Sequence, residues 1–312
     1  MTIIVKPQFP DESEGGEFVR QDDAFRGWIS ADGRRGLPAA AGRYHLYVSL
    51  ACPWAHRTII MRKLKGLEDA IGMTVVDPIR DERGWRFTFE PDPMNKFAFL
   101  SEAYAATDPQ YRGRVTVPVL WDNVTSKIVS NSDDDILRML ETEFDAFARH
   151  NDVDYYPREH RAEIDALNAK IYETVNNGVY RAGFATTQAA YEEAARAVFE
   201  TLDELEDRLA SRRYLIGPTP VETDWRLFVT LVRFDAVYYG HFKCNLRRIV
   251  DYPNLWGYTR DLYHFRGAGS TVNLDHIKSH YYFTHDDINP TRIIPIGPSI
   301  DWNAPHGRER YG

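Results

Sequence analysis

Residues 44–54, YHLYVSLACPW, set the architecture together with the segment just downstream. Tyr44–Leu50 mixes β-branched and aromatic residues and reads as a strand. Ala51-Cys52-Pro53-Trp54 interrupts it, and from His56 to Leu67 the apolar residues Ile59, Ile60, Met61, Leu64 and Leu67 recur at helical spacing, with Gly66 as the stop signal. Met73–Val76 (MTVV) is a second short strand. A β-α-β order implies parallel strands joined by a right-handed crossover.

Downstream, residues 78–112 form a connection long enough to be functional or to carry its own short helix. Val115–Trp121 (VTVPVLW) reads as a strand interrupted by Pro118, which offers no ladder donor and so requires an edge, a bulge or a cis bond. Lys127–Val129 is a further short strand. Ser132, Asp133, Asp134 and Asp135 open a helix running to Glu141, since short polar and acidic residues satisfy a helix start. Near residues 146–157 the character changes. Segments 158–178, 188–210, 223–240 and 246–264 are helical in period, with little strand signal. The expected organisation is an N-terminal arm over 1–43 anchored by Phe18, Phe25 and Trp28, an α/β domain over 44–150, and an all-α domain over 151–312 that ends in a proline-rich extended tail.

Composition narrows the function. The chain has 312 residues, a net charge of −8 and 43% hydrophobic residues, enough for packed cores. An acidic balance disfavours a nucleic-acid partner, because phosphate binding needs a basic surface. No stretch approaches a membrane span. The opening MTIIVKPQFPDESEGGEF is unlike a signal or transit peptide, so the expectation is a cytoplasmic protein with no membrane partner. Cys52 and Cys244 alone give neither a disulfide framework nor a cysteine zinc site, and the ten histidines form no HExxH pattern, so no metal is expected. The acidic run at 133–135 reads as a solvated helix start and not as a cation site.

Cys52 stands apart. It follows a strand and precedes a helix with Pro53 at the first helical position, where the missing N–H costs nothing. A sulfur there lies by free amides and the positive end of the helix dipole, and thiols so placed titrate at about 3.5–7.5. The thiolate is the nucleophile of thiol–disulfide exchange. Ala55 replaces the second cysteine of a dithiol motif, so an external thiol must resolve any mixed disulfide. Cys244, in HFKCN, lacks this context and reads as structural, as does His56. A cis bond before Pro118 would expose the backbone of Val117 to an extended thiol-bearing ligand; such bonds are only about 5–6% of X–Pro bonds in folded proteins, so the weight rests on the order of motifs.

The segments YHLYVSLACPWAHRTIIMRKLKGLE, GRVTVPVLWD, NNGVYRAGFATTQ, LVRFDAVYYGHFKC and INPTRIIPIGP…PHGR resemble the glutathionyl-hydroquinone reductases, the Xi-class, omega-like glutathione transferases. The resemblance runs from about Phe25 to the end. It implies a thioredoxin-like N-terminal domain, a helical C-terminal domain and a homodimer. It also implies a reaction in which Cys52 attacks the sulfur of a glutathionyl-hydroquinone, the hydroquinone carbon leaves and is protonated, and a second glutathione releases the Cys52-bound one as glutathione disulfide. Neither metal nor nicotinamide takes part. Carried over singly, Trp85 in ERGWRF covers the glutathione, Arg114 contacts its carboxylate end, and Val117 pairs with its cysteinyl backbone. Tyr180 and Tyr281 line the hydroquinone pocket, where a phenol can donate to developing oxyanion charge.

Two positions depart from that family. Its helix start after the fourth strand reads Ser-Asn-Glu-Ser, with Glu receiving the ligand's ammonium and Ser its carboxylate. Here Ser130-Asn131-Ser132-Asp133 stands instead. Ser132 is short and uncharged, and Asp133 repels a carboxylate unless it reaches the ammonium itself, so a thiol without a γ-glutamyl end, such as mycothiol, becomes an alternative to glutathione. Val221 replaces the Ser or Thr that usually precedes Asp224 in a capping box, a loss of about 1 kcal/mol. The competing functions are a general thioltransferase or dehydroascorbate reductase, and a non-catalytic binding protein on a transferase fold.

Overall fold

The computed structural model describes residues 13–87 and 92–312, so the first part of the arm and residues 88–91 of the long connection lie outside the described residues. The chain divides into two compact units: a sheet unit, Asp22–Asp154 with Arg266–His280, and a helical unit formed by residues up to Gln21, Tyr155–Phe265 and Tyr281–Gly312.

The sheet unit is built from β1 (Tyr44–Val48), α1 (Pro53–Leu64), β2 (Ile71–Val75), α2 (Ser101–Thr107), β3 (Val119–Asp122), β4 (Lys127–Ser130) and α3 (Asp133–Thr142). The strand order is β2-β1-β3-β4. β1 and β2 are parallel, as the β-α-β reading requires, whereas β3 runs antiparallel to both β1 and β4. β1 is buried along its whole length, so it shows no alternation of apolar and polar faces, and its polar residue His45 pairs with Thr74 Oγ1 at 2.7 Å. α1 packs against α3, and α2 against β4. The expected strand 115–121 begins only at Val119, because Pro118 has no N–H for the ladder; the Val117–Pro118 bond is cis. The long connection carries a short helix of its own, α2, one of the two readings its length allowed.

α1 ends three residues earlier than the apolar spacing suggests. Gly66 adopts φ +65°, its N–H donates to the Lys63 carbonyl, and the Leu67 N–H donates to the Arg62 carbonyl. This paired arrangement closes a helix with a left-handed residue just past its end. A Cβ at Gly66 would also lie 2.8 Å from Cβ of Arg149. The described part of the arm runs beside β4: Gly27 N–H donates to the Val129 carbonyl at 2.8 Å and Asn131 N–H to the Phe25 carbonyl at 3.0 Å. Phe25 packs on Tyr104 and Tyr111, and Trp28 Nε1 donates to Glu143 at 3.2 Å.

The helical unit comprises α4 (Arg161–Ile171), α5 (Gly178–Gly183), α6 (Gln188–Leu209), α7 (Glu222–Arg233), α8 (Pro253–His264) and the Tyr281 end of α9 (Leu274–Thr284). α9 is a helix that the periodicity does not announce. α6 buries Ala194, Val198, Phe199, Leu202, Leu205 and Leu209, a stripe at helical spacing. α7 is buried at every position and is the core of this unit. α4 continues into a π-helical stretch at Tyr172–Asn176, and α7 into another at Phe234–Tyr238. The tail is held by Trp302, stacked on Tyr263 at 4.7 Å, and by buried Arg308, which donates to the Arg213 carbonyl at 3.1 Å.

The start of α7 shows how the unusual Val221 is accommodated. Its side chain makes no cap, but Asp224 accepts from Val221 N–H at 2.8 Å, from Leu215 N–H at 3.0 Å and from Tyr258 Oη at 2.8 Å. One half of the capping box survives, and the same carboxylate fixes the preceding loop.

Gly66→Ala should lower stability by about 1–2 kcal/mol in urea unfolding, since a side chain penalises the left-handed conformation by that amount. At the start of α7, burial pushes the Asp224 carboxyl up to about 6 from an ordinary 3.8. A raised carboxyl pKa means that the native state holds the proton more tightly, so this contribution is full below the unfolded value and fades as pH rises through about 6. Relative to Asp224→Asn, the wild-type chain should therefore lose about 2–3 kcal/mol between pH 4 and 7. Parallel pH profiles for the two proteins would refute it.

Candidate active site

In the sheet unit Val117 lies beside Cys52 at the start of α1, and Asp133 pairs with Arg57 of the same helix. Cys52 is the residue before the helix, with extended backbone (φ −76°, ψ 124°) and Pro53 at the first helical position. Its N–H donates to the Ser49 carbonyl, and its carbonyl accepts from His56 N–H, which holds the turn between β1 and α1. The thiol is half-buried, not sealed. It makes no capping hydrogen bond to the helix; Sγ lies 3.6 Å from the Val117 carbonyl, on the residue before Pro118. Two influences therefore meet at one sulfur. The Val117 carbonyl accepts from S–H and favours the thiol, and the amide end of α1 favours the thiolate. Cys244 is the opposite case, fully buried, with burial pushing its thiol up to about 12. His56 is also fully buried and pairs with Thr271 Oγ1 at 2.7 Å.

The start of α3 lies against α1 through a charge pair that the sequence did not reveal. Arg57 is fully buried, its guanidinium donates to Asp133 at 2.7 Å and Asp134 at 3.2 Å, and it stands over the Trp54 ring at 4.6 Å. Asp133 thus has a cationic partner inside the protein. Ser132 is the residue before α3; its hydroxyl accepts from Asp135 N–H at 3.4 Å and hydrogen-bonds the Asp23 side chain from the arm. Both residues have local structural roles: capping for Ser132 and an ion pair for Asp133. Nothing in the periodicity of α1 marks Arg57 as buried, because an arginine between apolar positions reads as a surface residue.

Trp85 is nearly buried and stacks on His280 at 5.1 Å and 23°. His280 Nδ1 lies 2.8 Å from the Pro78 carbonyl; a carbonyl only accepts, so Nδ1 carries the proton. Arg114 is half-buried, and its carbonyl accepts from Tyr111 Oη at 2.7 Å. Val117 is buried beside Cys52. His280 has no sequence signal of its own, since a lone histidine in a helix is ordinary.

In the helical unit Tyr180 and Tyr281 meet: their hydroxyls are hydrogen-bonded to each other, and Tyr238 Oη lies 3.0 Å from that of Tyr281. Phe18 of the arm, Phe184, Phe242 and His285 pack around them. Burial pushes the Tyr281 phenol well above its ordinary value, with the neighbouring phenols adding to the effect. Among the described residues no group of three or more His, Cys, Asp or Glu side chains could hold a metal ion, and no helix is long and apolar enough to cross a membrane.

The chain is similar to known proteins along most of its length. Residues 51–143 match the glutathione S-transferase N-terminal domain family, and residues 188–261 match its C-terminal domain. Glutathionyl-hydroquinone reductase YqjG of Escherichia coli is 52% identical over 97% of this chain and 96% of its own. Its glutathione-bound structure superposes with a TM-score of 0.88, covering 91% of this chain and 96% of that one at 53% identity. Glutathionyl-hydroquinone reductase PcpF of Sphingobium chlorophenolicum is 51% identical over 93% of each chain. A Xi class transferase structure from Natrialba magadii has a TM-score of 0.90 and 50% identity, covering 92% of this chain and 89% of that one. The chain belongs to the glutathionyl-hydroquinone reductases, the Xi class of the glutathione transferase superfamily.

Proposed function

We propose that this protein reduces glutathionyl-hydroquinones to hydroquinones with Cys52 as nucleophile. The observation that carries the reading is the half-buried Cys52 sulfur at the mouth of α1, 3.6 Å from the Val117 carbonyl. In the first step the Cys52 thiolate bonds to the sulfur of the conjugate, the sulfur–carbon bond breaks, and the carbon takes a proton. In the second step a glutathione thiolate attacks the mixed disulfide, and glutathione disulfide leaves with Cys52 restored as thiolate. Trp85, Arg114, Val117, Ser132 and Asp133 hold the thiol compound, and Tyr180 and Tyr281 receive the hydroquinone ring. The same reading assigns thiol binding to residues 44–150, places the tyrosines in the helical part over 151–312, and makes the protein a cytoplasmic homodimer.

The arrangement at α3 favours one further reading about the thiol. The Ser132 hydroxyl is engaged in capping and with Asp23, and Asp133 is engaged by Arg57. A γ-glutamyl end would therefore be held differently here than by a Glu-Ser pair, and mycothiol is the competing co-substrate.

Cys52→Ser should abolish turnover of a glutathionyl-hydroquinone, measured as hydroquinone release; substantial turnover in that variant would remove the nucleophile from the mechanism. The conjugate should be turned over far faster than a small mixed disulfide, whereas the reverse order would make the protein a general thioltransferase. Glutathione is expected to support the reaction on the same hydroquinone. If mycothiol gives the higher kcat/KM, Ser132-Asp133 marks a change of thiol.

A further inference from the structure

We propose that His280 is a positioning residue for the thiol site: it braces the Trp85 ring, and the loop that carries it, against α9. The proposal rests on the reading of Trp85 as a residue that holds the thiol compound and adds the group that fixes its ring.

Trp85 lies near the end of a closed loop. The Asp77 N–H donates to the Arg86 carbonyl at 2.8 Å, and Arg86 Nε reaches the Asp77 carboxylate at 3.2 Å, which closes the base. Within the loop the Gly84 N–H donates to the Asp81 carbonyl at 2.9 Å. The Trp85 carbonyl accepts from Leu100 N–H, also at 2.9 Å. These bonds fix the backbone of Trp85, but a side chain still chooses among rotamers about its own bonds. An indole that must order when a ligand arrives costs affinity, whereas one already held does not.

His280 supplies the hold. Its ring stacks on the indole at 5.1 Å and 23°, and its Nδ1–H donates to the Pro78 carbonyl at 2.8 Å. The hydrogen bond fixes the plane of the imidazole, and the stack passes that orientation to the indole. One side chain thus engages both ends of the 78–85 segment, and it comes from a different element. That element is itself secured. Asn273 Oδ1 accepts from His276 N–H at 2.9 Å at the start of α9, and Ile277, three residues before His280 on the same face, is fully buried. Trp85 is 6% exposed and His280 9%, so little room is left for either ring to turn. Arg80 supplies the contrast: its guanidinium stands over the indole at 5.7 Å, but it belongs to the same loop and moves with it.

The test uses the full chain. His280→Ala removes the stack and the hydrogen bond, whereas His280→Phe keeps a ring to stack. In His280→Ala, KM for a glutathionyl-hydroquinone should rise about five-fold, the effect of one aromatic pair, with kcat near the wild-type value. His280→Phe should recover part of the loss. Binding of S-methylglutathione, which has no thiol to react, should weaken by the same factor in calorimetry. Combined with Trp85→Ala, His280→Ala should weaken that binding no further, because it acts through the indole. A readout without ligand decides it separately. With 5-fluorotryptophan incorporated, the fluorine resonance lost in Trp85→Phe reports this ring alone. It should move toward the position of the free amino acid in His280→Ala and stay near the wild-type position in His280→Phe. An unmoved resonance in His280→Ala, or equal losses of binding with and without the Trp85 indole, would overturn the proposal, even where urea unfolding shows His280→Ala to be less stable. If the resonance moves but Trp85→Ala leaves binding unchanged, the brace stands and the assignment of Trp85 to the thiol compound fails.

Discussion

A helix that begins on a cysteine is the constraint on which the candidate site of the sheet unit depends. Cys52 must adopt extended backbone to let Pro53 open α1, and that fixes its side chain at the amide end of the helix. The turn before Pro118 then brings the Val117 carbonyl to within 3.6 Å of the sulfur. The sulfur thus lies between a backbone carbonyl and the amide end of a helix.

Around that point a buried cation ties two elements together. Arg57, without exposure, faces two carboxylates at the start of α3 and the Trp54 ring. Removing one partner of such a pair typically costs about 3–5 kcal/mol, because the other charge is left buried and uncompensated. The pair therefore fixes α3 against α1, and with it the position of Ser132 and Asp133 relative to the cysteine's helix. Asp224 has the same function in the helical unit, where one carboxylate joins a loop, a helix start and Tyr258.

The helical unit places its polar groups differently, in a nest of aromatic rings. The hydroxyls of Tyr180, Tyr238 and Tyr281 are hydrogen-bonded in series, which fits the cost of leaving a buried hydroxyl unpaired. The π-helical stretches after α4 and α7 sit close in sequence to two of these tyrosines. Aromatic rings around the three phenols, among them Phe242 against Tyr238 and Tyr281, hold them in place.

Much of this was legible from residue order. The β-α-β reading, the helix at Ser132 and the helical second half rest on local signals, period and caps, whereas the cis bond before Pro118 was one of three options for a proline in a strand and drew its weight from the order of motifs. Element ends were less legible, as at Leu64, where Gly66 stops the helix before the apolar spacing does, and at Val119, where Pro118 delays the strand. Arg57, His280 and Tyr238 carried no local sign of importance. Their roles depend on groups 76, 195 and 43 positions away in the chain, Asp133, Trp85 and Tyr281. Residue order alone was enough to say which helix would begin on a thiol, because caps and prolines act within a few residues. Which charges and hydroxyls are buried together emerged only on packing, because burial is a property of the folded chain and not of any segment of it.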